Sequence, residues 1–207
     1  MINLKLNVKL LFLVKIFLIY FFICVNSYAD NSKTLNNLIV LGIDEAPIKI
    51  KVFSSLTCPH CASFHLNVVP EIKKRYIDIG KVQLIFIDFP LDKVAFNASI
   101  LLNCIDQKQQ ISFLDNIYKS QPEWTLGSNI DEINNNLKKT VKIFGIDSKQ
   151  FDKCLNDDTI GDRILIGRMD GEKKYSINST PTILINEKKL KGSTNLKNII
   201  KKIEKLI

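Results

Sequence analysis

Residues 53–61 read Phe53-Ser54-Ser55-Leu56-Thr57-Cys58-Pro59-His60-Cys61, and this stretch decides the fold. Before it, Ile48, Ile50 and Val52 alternate with polar neighbours, a period-two pattern that predicts a half-buried strand. After it, Phe64, Val68 and Ile72 recur at helical spacing. The first cysteine therefore stands where a strand turns into a helix. Unpaired backbone N–H groups and the positive end of the helix dipole stabilise a thiolate at that place. Pro59 suits the first helical position, where its missing N–H costs nothing. His60, when cationic, would add positive charge near the Cys58 sulfur. Cys58 is expected to be exposed, and Cys61, one turn further in, partly buried. An acidic thiol is a good leaving group, so the pattern points to thiol–disulfide exchange. Two plainer readings compete: an inert structural disulfide, or half of a zinc site. Zinc needs two more ligands, and beyond His65 the chain offers no second Cys-X-X-Cys and no His pair. No metal is expected.

Working outward, Leu38–Leu41 and Ile48–Phe53 read as strands around a Gly42-Ile43-Asp44 turn. A helix should run from Cys58 to about Ile77, bent near Pro70, and end at Gly80. Val82–Asp88 is a further strand, which completes a right-handed strand–helix–strand unit with parallel strands. From Asp92 to about Tyr175 the pattern is helical: Lys93–Asp106, Ile111–Ser120, Ile130–Phe144, Ser148–Leu155 and Thr159–Tyr175. Asn129 or Asp131, and Asp147 or Ser148, are candidate caps. Ile183, Leu184 and Ile185 resume the strand pattern. A polar turn over residues 186–189, a short strand over residues 190–192 and a terminal helix over residues 196–206 follow. The fold class is α/β, with a helical block at about 92–175 between the two halves of a small domain.

The N-terminus reads as a signal peptide over residues 1–29. Lys5, Lys9 and Lys15 precede or interrupt an apolar run from Ile16 to Val25, and Ser27-Tyr28-Ala29 offers small residues for cleavage. That run is shorter than the roughly 18–20 residues of a spanning helix, though an uncleaved anchor is the alternative. Cys24 follows bulky Ile23, which argues against a lipidation site. Residues 30–207 suffice for one domain with a core. The formal charge of +8 falls to about +5 once the three leader lysines are removed. The remaining lysines are scattered over helix faces, so nucleic-acid binding has little support. Without Cys24 four cysteines remain, an even number that fits an oxidising compartment. They allow three pairings, and the motif favours Cys58–Cys61 with Cys104–Cys154 over a pair of buried free thiols. Closing that second loop would stabilise the fold by roughly 4 kcal/mol on the chain-entropy model. Of the two Asn-X-Ser/Thr sequons, Asn178-Ser179-Thr180 lies beside the expected substrate groove, which favours a bacterial periplasm over a glycosylating compartment.

Thr180-Pro181 alone is a weak signal, since X–Pro bonds are mostly trans. Paired with the cysteine motif it gains meaning: a cis bond would leave the Thr180 backbone free to pair with an extended substrate chain. Residues 53–61 with Phe64, and Ser179-Thr180-Pro181-Thr182-Ile183-Leu184-Ile185, resemble the active-site and cis-proline segments of the DsbA-type thiol:disulfide oxidoreductases. The resemblance covers roughly residues 38–207 and implies a thioredoxin fold with a helical insertion. It further implies that Cys58 is the nucleophile, Cys61 the resolving thiol, His60 a tuner of potential and Pro181 the cis-proline, with Thr180 and Pro181 binding substrate. No cofactor is implied. The implied partners are unfolded exported proteins and a membrane reoxidising protein of the DsbB type. The chain departs from the pattern twice. Many relatives carry a buried acid six positions before the first cysteine, where this chain has Val52, so a water or another group would have to accept the proton. Thr180 stands where oxidases of this type have valine and isomerases more commonly threonine, so isomerase or reductase activity is the alternative, and a non-catalytic peptide-binding chaperone a more distant one. About twenty residues separate the cleavage site from the sheet, too few for the isomerases' dimerisation domain, so a monomer is expected.

Overall fold

The computed structural model describes residues 38–207; the signal-peptide reading and Cys24 fall outside them. β2 (Ile48–Ser54) is the middle strand of five in the order β1-β3-β2-β4-β5. β1 is Ile39–Leu41, β3 Val82–Asp88, β4 Thr182–Ile185 and β5 Lys188–Lys189. β2 and β3 run parallel with Val52 opposite Phe86, and β4 joins the other edge of β2 antiparallel with Val52 opposite Ile183. β1 and β5 close the two margins antiparallel. The alternation read from Ile48, Ile50 and Val52 puts all three into the larger core with Ile72, Leu84 and Phe113. Phe53 points the other way and joins Phe89, Ile177 and Leu184. Full burial of each such side chain stabilises the fold by about 1.5–3 kcal/mol relative to exposure.

Residues 59–77 form one continuous helix, α1, in which α-helical turns (Pro59–Ser63, Val69–Ile72) alternate with π-helical ones (Phe64–Val68, Lys73–Ile77). Val69 N–H donates to the Phe64 carbonyl, five residues back. Pro70 has no N–H to offer Leu66 and would crowd that carbonyl, and the widened turn before it relieves both problems. The expected bend is thus taken up as a change of helical pitch.

Between β3 and β4 lie α2 (Lys93–Cys104), α3 (Gln110–Lys119), α4 (Gln121–Trp124), α5 (Ile130–Val141), α6 (Ser148–Leu155) and α7 (Asp158–Tyr175). α8 (Leu196–Ile203) follows β5. Asp92, Asn129, Asp147, Asp157 and Asn195 cap α2, α5, α6, α7 and α8 with their side chains. Each such cap is typically worth about 1 kcal/mol. α7 comes close enough to β2 that a Cβ on Gly171 would lie 2.8 Å from the Phe53 ring, so only glycine fits there. The end of the sheet differs from expectation. Asn186 (φ 46°) and Glu187 (φ 64°) take left-handed conformations and make a two-residue turn, so β5 starts at Lys188 rather than Leu190. Asn186 Oδ1 accepts from Lys49 N at 2.8 Å, which fixes the turn against β2. Among the described residues no helix is long and apolar enough to cross a membrane.

Candidate active site

Cys58 caps α1 in an extended conformation (φ −80°, ψ 117°), with Pro59 at the first helical position. Its carbonyl accepts from Cys61 N at 3.0 Å and Ala62 N at 3.1 Å. Cys58 and Cys61 are both free thiols. Cys58 is 9% exposed and Cys61 1%, so the first sulfur is set deeper than the sequence suggests. The Thr180-Pro181 segment is the reason. Its peptide bond is cis, and the Cys58 thiol donates to the Thr180 carbonyl at 3.4 Å. The Thr180 hydroxyl is buried, with no strict hydrogen-bond partner among the described residues, in reach of both sulfurs.

The Cys58 pKa is lowered from 9.0 to about 5. Cys61 is the largest cause, through a hydrogen bond to the Cys58 sulfur; burial opposes it, and the Thr180 hydroxyl and the N–H groups of Cys61 and His60 add to the lowering. The partner moves the other way: the same hydrogen bond and burial push the Cys61 pKa far up. One thiol is thereby poised as a thiolate and the other holds its proton. The His60 backbone N–H contributes to the lowering, and its side chain is exposed.

The loop before Cys58 is held from the helices. Gln121, 6% exposed on α4, donates its amide to the carbonyls of Leu56 (2.7 Å) and Cys58 (3.3 Å). Thr57 donates to Asp92 Oδ2 at 2.7 Å, while Oδ1 of the same carboxylate caps α2 at Ala95 N. Neither residue was singled out from sequence. In the sequence Gln121-Pro122 is a break in the helical pattern and Asp92 only the point where that pattern begins; their long-range contacts reveal the role.

Beside Cys58 a groove of about 490 Å³ runs between α1 and the start of α8, lined by His60, Phe64, Val68, Thr180, Pro181 and Leu196 among others. Phe64, Val68, Pro181 and Leu196 give it apolar surface against which an extended peptide could lie. Far from it in sequence, Cys104 at the end of α2 is disulfide-bonded to Cys154 on α6, with Cα atoms 6.0 Å apart. The Gln150 amide reaches both sulfurs, at 3.8 and 3.5 Å. No group of three or more His, Cys, Asp or Glu among the described residues stands close enough to hold a metal ion.

A family model described as Thioredoxin matches residues 34–205. The crystal structure of Wolbachia pipientis alpha-DsbA1 superposes with a TM-score of 0.75 at 33% identity, over 83% of this chain and 92% of that one. The chain is a DsbA-like member of the thioredoxin family. Disulfide bond formation protein D of Bacillus anthracis, as that relative is named, is 34% identical over 70% of this chain and 68% of its own length. A Rickettsia bellii relative named a protein-disulfide oxidoreductase is 30% identical over 78% of this chain, which spans 62% of that relative's length. The thioredoxin-family fold fits the mixed five-stranded sheet and the helices between β3 and β4.

Proposed function

We propose that this protein is a thiol:disulfide oxidoreductase that introduces disulfide bonds into exported proteins, with Cys58 as nucleophile and leaving group, Cys61 as resolving thiol, and Thr180 and Pro181 as the substrate-binding edge. The observation that carries the proposal is the opposed acidity of two thiols held together at a helix start, one near 5 and the other far above its ordinary value. In the oxidised protein a substrate thiolate attacks Cys58 Sγ, the Cys58–Cys61 bond breaks, and Cys61 leaves and is protonated. A second substrate thiolate then attacks the substrate sulfur of the mixed disulfide. Cys58 departs as a stabilised thiolate and the substrate keeps the new disulfide. A DsbB-type membrane partner would take the two electrons. The leader pattern over residues 1–29 supports a periplasmic location.

The relatives' names support the chemistry. The test is direct. Oxidised protein mixed with a reduced, unfolded protein should transfer one disulfide per Cys-X-X-Cys, and Cys61→Ala should trap mixed disulfides that Cys58→Ala cannot form. Absence of both transfer and trapping would remove the reading. Thr180, placed against both sulfurs, favours a second reading in which the same chemistry reshuffles disulfides. A reduction potential in glutathione buffer near that of an isomerase, with the protein reduced at rest in cells, would favour it over net oxidation.

A further inference from the structure

Counted by segment, the cations of this chain are not evenly scattered. Residues 38–187 carry eighteen lysines and arginines against nineteen acids, and are close to neutral as a unit. Residues 188–207 carry seven lysines against a single acid, Glu204. This last stretch therefore holds the whole positive excess of residues 30–207. An asymmetry of that kind points to an anionic partner more than to a uniformly solvated coat.

The fold gathers these side chains. α8 buries Ile199 and Ile203 in the larger core, which turns Lys197 and Lys201, four residues apart, to the opposite face of the helix. Both are exposed, as is Lys205 one turn beyond. Lys191 is held beside them, since the Asn198 amide of α8 donates to its carbonyl at 3.1 Å. On β5, Lys188 lies opposite Ile185, and cross-strand neighbours share a face of the sheet. Ile185 belongs to the same core as Ile199 and Ile203, so Lys188 stands on the face that α8 covers. Lys189 is directed the other way and donates to the Ser176 carbonyl. Among the described residues none of Lys188, Lys191, Lys197, Lys201 and Lys205 forms an ion pair. Glu204 is taken by the Tyr76 hydroxyl of α1. Leu206 and Ile207, 43% and 62% exposed, add apolar surface beside Lys205.

We infer that the outer face of α8, with Lys188 and Lys191 beside it, is a docking surface for an anionic lipid bilayer. The cations are spread over a helix face and a sheet edge, which matches a continuous layer of charge better than a single anionic group. Leu206 and Ile207 suit the boundary between headgroups and acyl chains. α8 keeps its own apolar face in the core, so it rests on the membrane without entering it, and the attraction is electrostatic and sensitive to salt. The helix begins at Leu196, in the wall of the groove beside Cys58, so the docked face adjoins the substrate site. Adsorption would concentrate the protein at the layer that holds the electron acceptor proposed above. The inference rests on that reading only for where the protein meets such a surface; adsorption itself needs no exchange chemistry.

Leu38–Ile207 is one compact unit, so residues 30–207 serve for the experiment. The protein is mixed with vesicles of phosphatidylcholine alone or with about 30% phosphatidylglycerol, and the bound fraction is read after sedimentation. It should bind the anionic vesicles at about 50 mM salt, leave them at about 500 mM, and ignore the neutral ones. Lys197→Glu, Lys201→Glu and Lys205→Glu together should weaken binding at least about 10-fold. Three reversals at exposed lysines between β3 and β4, Lys108→Glu, Lys119→Glu and Lys149→Glu, give the same net charge and should weaken it less than about 3-fold. Equal losses in the two variants overturn the assignment, because binding then follows net charge and not this face. Binding of poly-glutamate without binding of anionic vesicles overturns it too, and gives the face to an acidic polypeptide. Should the glutamates unfold α8, glutamine at the same three positions decides, and undiminished binding by that folded variant overturns the assignment. Exchange of Cys58 with glutathione disulfide should be unchanged in every folded variant. A protein that adsorbs but exchanges no disulfide fails the oxidoreductase reading alone.

Discussion

The chain carries two cysteine pairs, and their surroundings differ in every respect that matters for reactivity. Cys58 and Cys61 sit at a helix start, apart as thiols, with backbone N–H groups and the Thr180 hydroxyl directed at the sulfur. Cys104 and Cys154 are joined, link the end of α2 to α6, and have the Gln150 amide against both sulfurs. Cys154 is 1% exposed within the larger core. The first pair is built around a charge that comes and goes; the second around a connection that stays. The lesson is that a sulfur's function here follows from whether donors converge on its anion.

The largest difference should appear in titration. Thiolate absorbance of the reduced protein should be full at neutral pH and be lost as pH falls through about 5, because the folded pKa is depressed from 9.0. Exchange with small disulfides should follow the same curve. A titration near 8 would erase the contrast between the pairs. Next in size, replacing Cys104 and Cys154 with alanine should cost roughly 4 kcal/mol by the chain-entropy model for a loop of 50 residues. Denaturant unfolding would measure it. Exchange at Cys58 should survive, and its loss would mean that the second pair belongs to the reaction. The smallest effect sharpens the account of the first pair. Thr180→Val removes a hydroxyl while keeping shape, a net loss of about 1 kcal/mol of hydrogen bonding to the thiolate. That corresponds to a shift on the order of 20 mV for a two-electron couple, readable in glutathione buffer. No change in potential or in Cys58 acidity would leave Thr180 as a strand residue only.

Much of this was legible in the sequence because it is written in short-range pattern. Ile48, Ile50 and Val52 fix which face of β2 is buried, and Asn129 and Asp147 announce the starts of α5 and α6. Cys58-Pro59-His60-Cys61 carries its helix start with it. What escaped depends on approach between distant segments. The depth of Cys58 is set by Thr180 and the loop ahead of it by Gln121. Neither contact has a local signature. The two-residue turn at Asn186-Glu187 was missed for a different reason, since Glu187 adopts a left-handed backbone that its residue type does not favour.

Gln121 has one more consequence, in the order in which the chain is made. Synthesis delivers the sulfur at position 58 first, the amide that grips its carbonyl at position 121 later, and the hydroxyl at position 180 near the end. An emerging chain therefore displays its thiols, with the donors inside the motif itself, well before Gln121 and Thr180 are delivered. A copy truncated before position 180 would lack the Thr180 share of the lowered Cys58 pKa while keeping the motif's own donors, Cys61 and His60.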